Sequence, residues 1–169
     1  MNKVGVKRGF FVNVSDRRSL APVGGADKFV QDNRSYSARR GTVRELHLQL
    51  APSFQAKLML VGNGSIFDVA VDLRRSSPTY SHHVGVVLSA DRGEQVYIPT
   101  GSAHGFRTLE PDTSVTYKMS GFYSTEHEID LRWDGPDIGV DWPVAGDAAF
   151  LPPKGTRLPR LREVTRCLF

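Results

Sequence analysis

Sixteen glycines and ten prolines cut this chain into short runs rich in Val, Phe, Tyr and Thr, and few windows keep a helical periodicity. Such punctuation favours short strands joined by turns, so the expected class is all-β: a sandwich, a closed barrel or a double-sheet jelly roll. Strands are expected near 4–13, 28–32, 42–50, 84–89, 95–98 and 114–120. The segment KLMLVGNGSIFDVAVDLR, Lys57 to Arg74, reads as a hairpin turning at Asn63-Gly64. That turn places Lys57 opposite Ala70 and Met59 opposite Asp68, with Lys57, Asp68 and Asp72 on one face. Two more segments, Gly41 to Lys57 and Pro99 to Phe106, carry polar side chains on strand-like alternation and suggest a barrel with a site in its mouth. Residues 124–143, acidic and tryptophan-rich, read as loop and turn. The basic, proline-interrupted end, 151–169, reads as irregular or as a short helix covering the barrel.

A chain of 169 residues suits one domain, 1–169, with a full core and a single site. No apolar run approaches the roughly 18 residues of a membrane span, and the first residues do not read as a signal peptide, so the cytoplasm is expected. Cys167 is the sole cysteine, which excludes an internal disulfide framework. The formal charge of +4 reflects basic clusters at 3–8, 17–18, 39–44 and 154–166. No nucleic-acid motif accompanies them, and a small anionic ligand held by arginines explains the charge.

The spacing Pro99-x-Gly101-x-x-His104 resembles the second cupin motif and tips the expectation to a cupin-type double-stranded β-helix. The first cupin motif would carry two histidines one residue apart, and here that place reads His47-Leu48-Gln49. A catalytic metal normally takes three protein ligands, so neither a metal nor another cofactor is expected.

FVQDNRSYS at 29–37, RELHLQ at 44–49, QAKLMLVGNGSIFDVAVDLRRSSPTY at 55–80, YIPTGSAHGF at 97–106, TYKMSGFYS at 116–124 and DIGVDWP at 137–143 closely resemble the dTDP-4-dehydrorhamnose 3,5-epimerase family. The match runs in consistent order from about Arg8 to Pro143. The resemblance implies a metal-free cupin, usually a homodimer, that inverts centres beside the 4-ketone of a dTDP-4-keto-6-deoxyhexose, as in rhamnose-type deoxysugar synthesis. That chemistry needs a base, a stabiliser for the enolate and an acid on the other face. The family pattern assigns these roles to His47, Lys57 and Tyr117, with His104 at the oxyanion and Tyr123 against the sugar. Arg8 and Arg44 match diphosphate positions, while Gln31, Asn33 and Glu128 match polar positions near the nucleotide. The family's glutamate in the first strand falls at Asn13 and its acidic residue before Arg-Gly at Val6, which alters the expected base recognition.

Two departures bear on catalysis. The family usually has glycine where Glu45 stands, and that glycine could form a bulge turning both Arg44 and His47 inward; strict alternation instead groups Glu45, His47 and Gln49, with Glu45 about 7 Å from His47. The family's Asp that orients the catalytic histidine is absent from LPPKGTR, 151–157, where Gly155 or Thr156 takes its place. Glu45 or Asp68 is the expected substitute, which adds Asp68 to the catalytic candidates. Three readings stay open: an epimerase at C3, C5 or both, a catalytically impaired sugar-nucleotide-binding paralogue, and a metal-dependent cupin enzyme, the last disfavoured by the ligand set. His82, His83 and His127 are expected in exposed loops, and Trp133 and Trp142 as packing anchors.

Overall fold

Most of the strand expectations materialise in a computed structural model, which describes residues 4–6, 9–23, 28–143, 149–151 and 157–164. The 4–13 run is two strands rather than one, β1 (Val4–Val6) and β2 (Gly9–Phe11), paired as an antiparallel ribbon. One helical turn, α1 (Arg17–Leu20), follows. Then come β3 (Gln31–Ser37), β4 (Val43–Gln49), β5 (Lys57–Asn63), β6 (Ser65–Asp72), β7 (His83–Ser89), β8 (Gln95–Ile98), β9 (Ser102–Thr108), β10 (Thr113–Met119) and β11 (Glu128–Leu131). They build a four-stranded sheet, β3-β10-β5-β8, and a five-stranded sheet, β11-β4-β9-β6-β7, with every pairing antiparallel. The architecture is the expected all-β jelly roll, closed at its C-terminal side by a short helical turn, α2 (Leu161–Val164).

Side-chain alternation divides the molecule. On the outer face of the five-stranded sheet, Leu46, Leu48, Val69, Val71, Ala103 and Leu131 are buried beneath Ile138, Trp142 and Leu161. Burying such aliphatic side chains contributes about 1.5–3 kcal/mol each, so a register slip that moved them to the other face is heavily disfavoured. Trp142 stacks edge-on to Trp133 and Phe67, and its Nε1 donates to the Trp133 carbonyl at 2.8 Å, confirming both tryptophans as packing anchors. Between the sheets a second core forms from Met59, Val61, Ile66, Leu88, Ile98, Phe106 and Val115. The other end of that interior is polar and holds the site.

The expected Lys57–Arg74 hairpin is not formed. Asn63-Gly64 does reverse the chain, with Gly64 at φ +75°, but the reversal carries it from one sheet to the other. Both edges of β5 are taken by β10 and β8, and both edges of β6 by β7 and β9. Lys57 is therefore aligned with Met119 and Ile98 rather than Ala70, and Asp68 with Phe106 and Val86 rather than Met59. Lys57 and Asp68 still share the interior because their sheets face each other, whereas Asp72 is bound to Arg74 at 2.9 Å. Two loop expectations also change: His83 opens β7, and β11 occupies part of the 124–143 region.

A bulge in β4 decides which way the site residues point. Arg44 aligns with Phe106 and His47 with His104, so three steps along β4 match two along β9. The additional residue lets Arg44 and His47 face the interior together, which strict alternation forbids. Glu45 stands in the bulge, and the enabling glycine is across the ladder: a Cβ at Gly105 would meet Arg44 O at 2.6 Å and Glu45 O at 2.9 Å. Both contacts are backbone atoms that a flexible side chain cannot vacate. Gly105→Ala is expected to destabilise the protein by about 1–3 kcal/mol through overpacking and to lower the melting temperature. Gly62→Ala, whose Cβ would meet only Ser114 O at 3.7 Å, provides the comparison and should melt closer to the unaltered protein.

Candidate functional site

The inward columns of the two sheets bring the candidate residues together. On the four-stranded sheet one row runs Gln31, Met119, Lys57, and the next runs Asn33, Tyr117, Met59. On the five-stranded sheet Asp130, His47 and His104 form a row, with Glu128 beside Gln49. The space between them is an inner cavity of about 210 Å³, walled by Arg44, Glu45, His47, His104, Tyr117 and Asp130 among others. An outer cleft of about 510 Å³ shares His47, Tyr117 and Glu128 with it and adds Gln31, Asn33 and Tyr123. Arg8, Gly155 and Thr156 lie outside the described residues, as does Cys167.

His47 is gripped at both ring nitrogens. Its Nδ1 lies 3.2 Å from the Glu45 carbonyl and its Nε2 lies 2.8 Å from Lys57 Nζ. A ring that donates from Nδ1 to the carbonyl and accepts at Nε2 from the ammonium satisfies both contacts. Lys57 reaches His47 from the opposite sheet and is only 2% exposed. Burial lowers its pKa to about 7, against the pull of Asp68, Glu128 and Asp130, whose carboxylates favour the charged form.

Asp68 does not orient His47. Its Oδ1 lies 2.8 Å from Nε2 of His104, and both side chains are almost wholly buried. The contribution of Glu45 to His47 in these contacts is its backbone carbonyl, presented by the bulge. His104 stands edge-on to His47 with ring centroids 6.1 Å apart.

Tyr117 faces the cavity from the four-stranded sheet. Burial raises its pKa, with Arg44 opposing, so the phenol keeps its proton at neutral pH. In the outer cleft Tyr123 Oη donates to Glu128 at 2.9 Å, the Tyr123 amide donates to Gln31 at 3.2 Å, and Gln31 Nε2 donates to Asn33 at 3.0 Å. This chain of bonds links three elements around a rim where Tyr123 is half exposed. Arg44 is exposed at the mouth, and one of its guanidinium nitrogens approaches the Tyr36 carbonyl at 3.4 Å. His127 is half-buried, accepting or donating at Ser124 and Ser53, rather than lying free in a loop.

Reading 124–143 as loop missed Asp130. The signal was present, since Glu128-Ile129-Asp130-Leu131 alternates polar and apolar as a half-buried strand does. Among the described residues no group of three or more His, Cys, Asp or Glu side chains is placed to hold a metal ion.

An arrangement with a histidine on one sheet, a phenol on the other and a buried cation between them provides a proton acceptor and a proton donor on opposite walls of one cavity. Comparison with known proteins agrees with it. The family model described as dTDP-4-dehydrorhamnose 3,5-epimerase matches residues 1–163. A dTDP-4-dehydrorhamnose 3,5-epimerase of Sinorhizobium fredii is 48% identical over 145 residues, covering 83% of this chain and 72% of that one. The dTDP-4-dehydrorhamnose 3,5-epimerase of Bacillus anthracis, solved with TDP and PPi bound, superposes with a TM-score of 0.89 at 43% identity, covering 95% of this chain and 90% of that one. The dTDP-6-deoxy-D-glucose-3,5-epimerase of Legionella pneumophila, solved in complex with dTDP-4-keto-L-rhamnose, gives a TM-score of 0.91 at 37% identity, covering 99% and 88%. With its whole fold and nearly its whole length matched, this chain belongs to the dTDP-4-dehydrorhamnose 3,5-epimerase family.

Proposed function

We propose that this protein epimerises a dTDP-4-keto-6-deoxyhexose at C3 and C5, with His47 as base, Tyr117 as acid and Lys57 as the cation that stabilises the enolate. The observation that carries the reading is the placement of His47 and Tyr117 on opposite sheets around one cavity, backed by a buried lysine. Inversion requires a proton to leave one face of the carbon and another to arrive at the opposite face. Removing a hydrogen beside a ketone puts charge on the C4 oxygen, and a cation held in a dry site stabilises that charge far more than water does.

In this reading His47 Nε2 exchanges its contact with the ammonium for the sugar C–H, and the ammonium turns to the C4 oxygen. The Tyr117 phenol then delivers its proton to the other face. His104, fixed by Asp68, adds a polar contact at the oxyanion. Tyr123 lies along the sugar, Arg44 and Arg8 hold the diphosphate, and Gln31, Asn33 and Glu128 contact the nucleotide. The dTDP-4-keto-L-rhamnose bound in the Legionella structure supports this substrate class. Assembly as a homodimer and a cytoplasmic setting belong to the same reading; no described helix is long and apolar enough to cross a membrane. The family match supports an epimerase rather than an impaired binding paralogue.

Two outcomes follow. Below about pH 7 Lys57 carries its proton, and above it the amine is neutral and stabilises an enolate poorly. kcat/KM for dTDP-4-keto-6-deoxyglucose should therefore fall above about pH 7, approaching tenfold per unit, and Lys57→Met should lower kcat on the order of 100- to 1,000-fold. A profile flat from pH 7 to about 9 would remove the ammonium from the mechanism. Tyr117→Phe should still wash deuterium from solvent into the substrate, because His47 can return a solvent-derived proton to the face it came from, but should form little inverted product. Inversion at an unaltered rate would exclude Tyr117 as the acid.

A further inference from the structure

Resting on the epimerase reading, we infer that Asp130 is a positioning residue for His47: its carboxylate, presented from the neighbouring strand, lies beside the ring, whose nitrogens are engaged elsewhere, and its charge stabilises the imidazolium formed when the proton leaves carbon. The register of β11 on β4 aligns Asp130 with His47 directly. Directly opposed residues in an antiparallel pair project to the same face with Cβ atoms about 4.5–5.5 Å apart, within reach of a carboxylate and an imidazole. Both side chains line the inner cavity, so that shared face is the reacting one.

The other groups around His47 show why a carboxylate opposite it matters. The Asp68 carboxylate is committed to His104 at 2.8 Å. Glu45 meets the ring through its backbone carbonyl, which fixes orientation, and its carboxylate is carried on His47's own strand at the bulge rather than directly opposite His47 in the ladder. Lys57 at Nε2 is a cation and opposes formation of a second positive charge beside it. Arg44 adds a further cation on the same wall, while Glu128, two residues along β11, aligns with Gln49 rather than His47. Tyr117 stands across the cavity as a phenol. A base flanked by two cations gains most from one adjacent carboxylate, and Asp130 is the one the ladder places there. Its effect on Lys57, which it pushes toward the charged form, is consistent with that proximity. The pairing also explains how a strand of four residues at the sheet edge contributes to chemistry.

The test compares turnover of dTDP-4-keto-6-deoxyglucose by the unaltered protein, Asp130→Asn and Asp130→Glu, with melting temperature recorded for each. Asp130→Asn should lose kcat on the order of 100-fold while KM changes little, and its fall in kcat/KM at alkaline pH should move to lower pH as Lys57 loses a carboxylate neighbour. Asp130→Glu should recover part of kcat. An Asp130→Asn protein that turns over at the unaltered rate would overturn the inference and leave the epimerase reading intact, as would a loss explained by unfolding and not relieved by glutamate. Absence of turnover in the unaltered protein would instead overturn the epimerase reading and this role with it.

Discussion

An ammonium taken out of water has to be compensated, and the polar half of this sandwich is arranged around that requirement. Lys57 is 2% exposed on β5, yet its Nζ lies 2.8 Å from a ring nitrogen on the facing sheet. Carboxylates from β6 and β11 offset the burial that lowers its pKa to about 7. Compensation of this sort does not tolerate trimming one partner at a time, since each removal leaves charge behind in a poorly solvated place. The Lys57–His47 contact also ties β5 to β4 across the interior. The apolar half, filled by Met59, Ile66, Phe106 and Val115, makes no such demand and closes the interior below.

Chemical function follows from that division. One wall carries His47 and the other Tyr117, which puts an imidazole and a phenol on opposite sides of one cavity, as the proposed inversion requires. The β4 bulge is what turns His47 and Arg44 to the same side, linking the reacting end of the cavity to its charged mouth. A glycine on β9, rather than on β4, provides the room. The two departures from the family pattern thus have different standing. Glu45 is accommodated by Gly105, while the place of the missing Asp falls at 155 or 156, outside the described residues.

Much of the fold was legible because strands here alternate cleanly between turns. Residues 95–98 were read at the bounds they have, and 84–89 and 114–120 each within one residue at either end. What failed was pairing. Asn63-Gly64 announces a reversal of the chain, but whether β5 and β6 then share a ladder depends on β8, β9 and β10, which are remote in sequence. The site shows the same pattern. His47, Lys57, Tyr117 and His104 were legible through motif resemblance, whereas Asp130 joined them only when β11 was seen lying against β4. Of the two carboxylates expected to serve His47, Asp68 is paired with His104, which lies diagonally from it across the β6-β9 ladder.

The most direct test is proton NMR of dTDP-4-keto-6-deoxyglucose with the protein in deuterium oxide, following the C3 and C5 signals beside a His47→Ala control. Loss of both signals with the unaltered protein and retention with His47→Ala is the predicted result. Retention of both signals by the unaltered protein, or equal loss in the His47→Ala variant, would contradict the account.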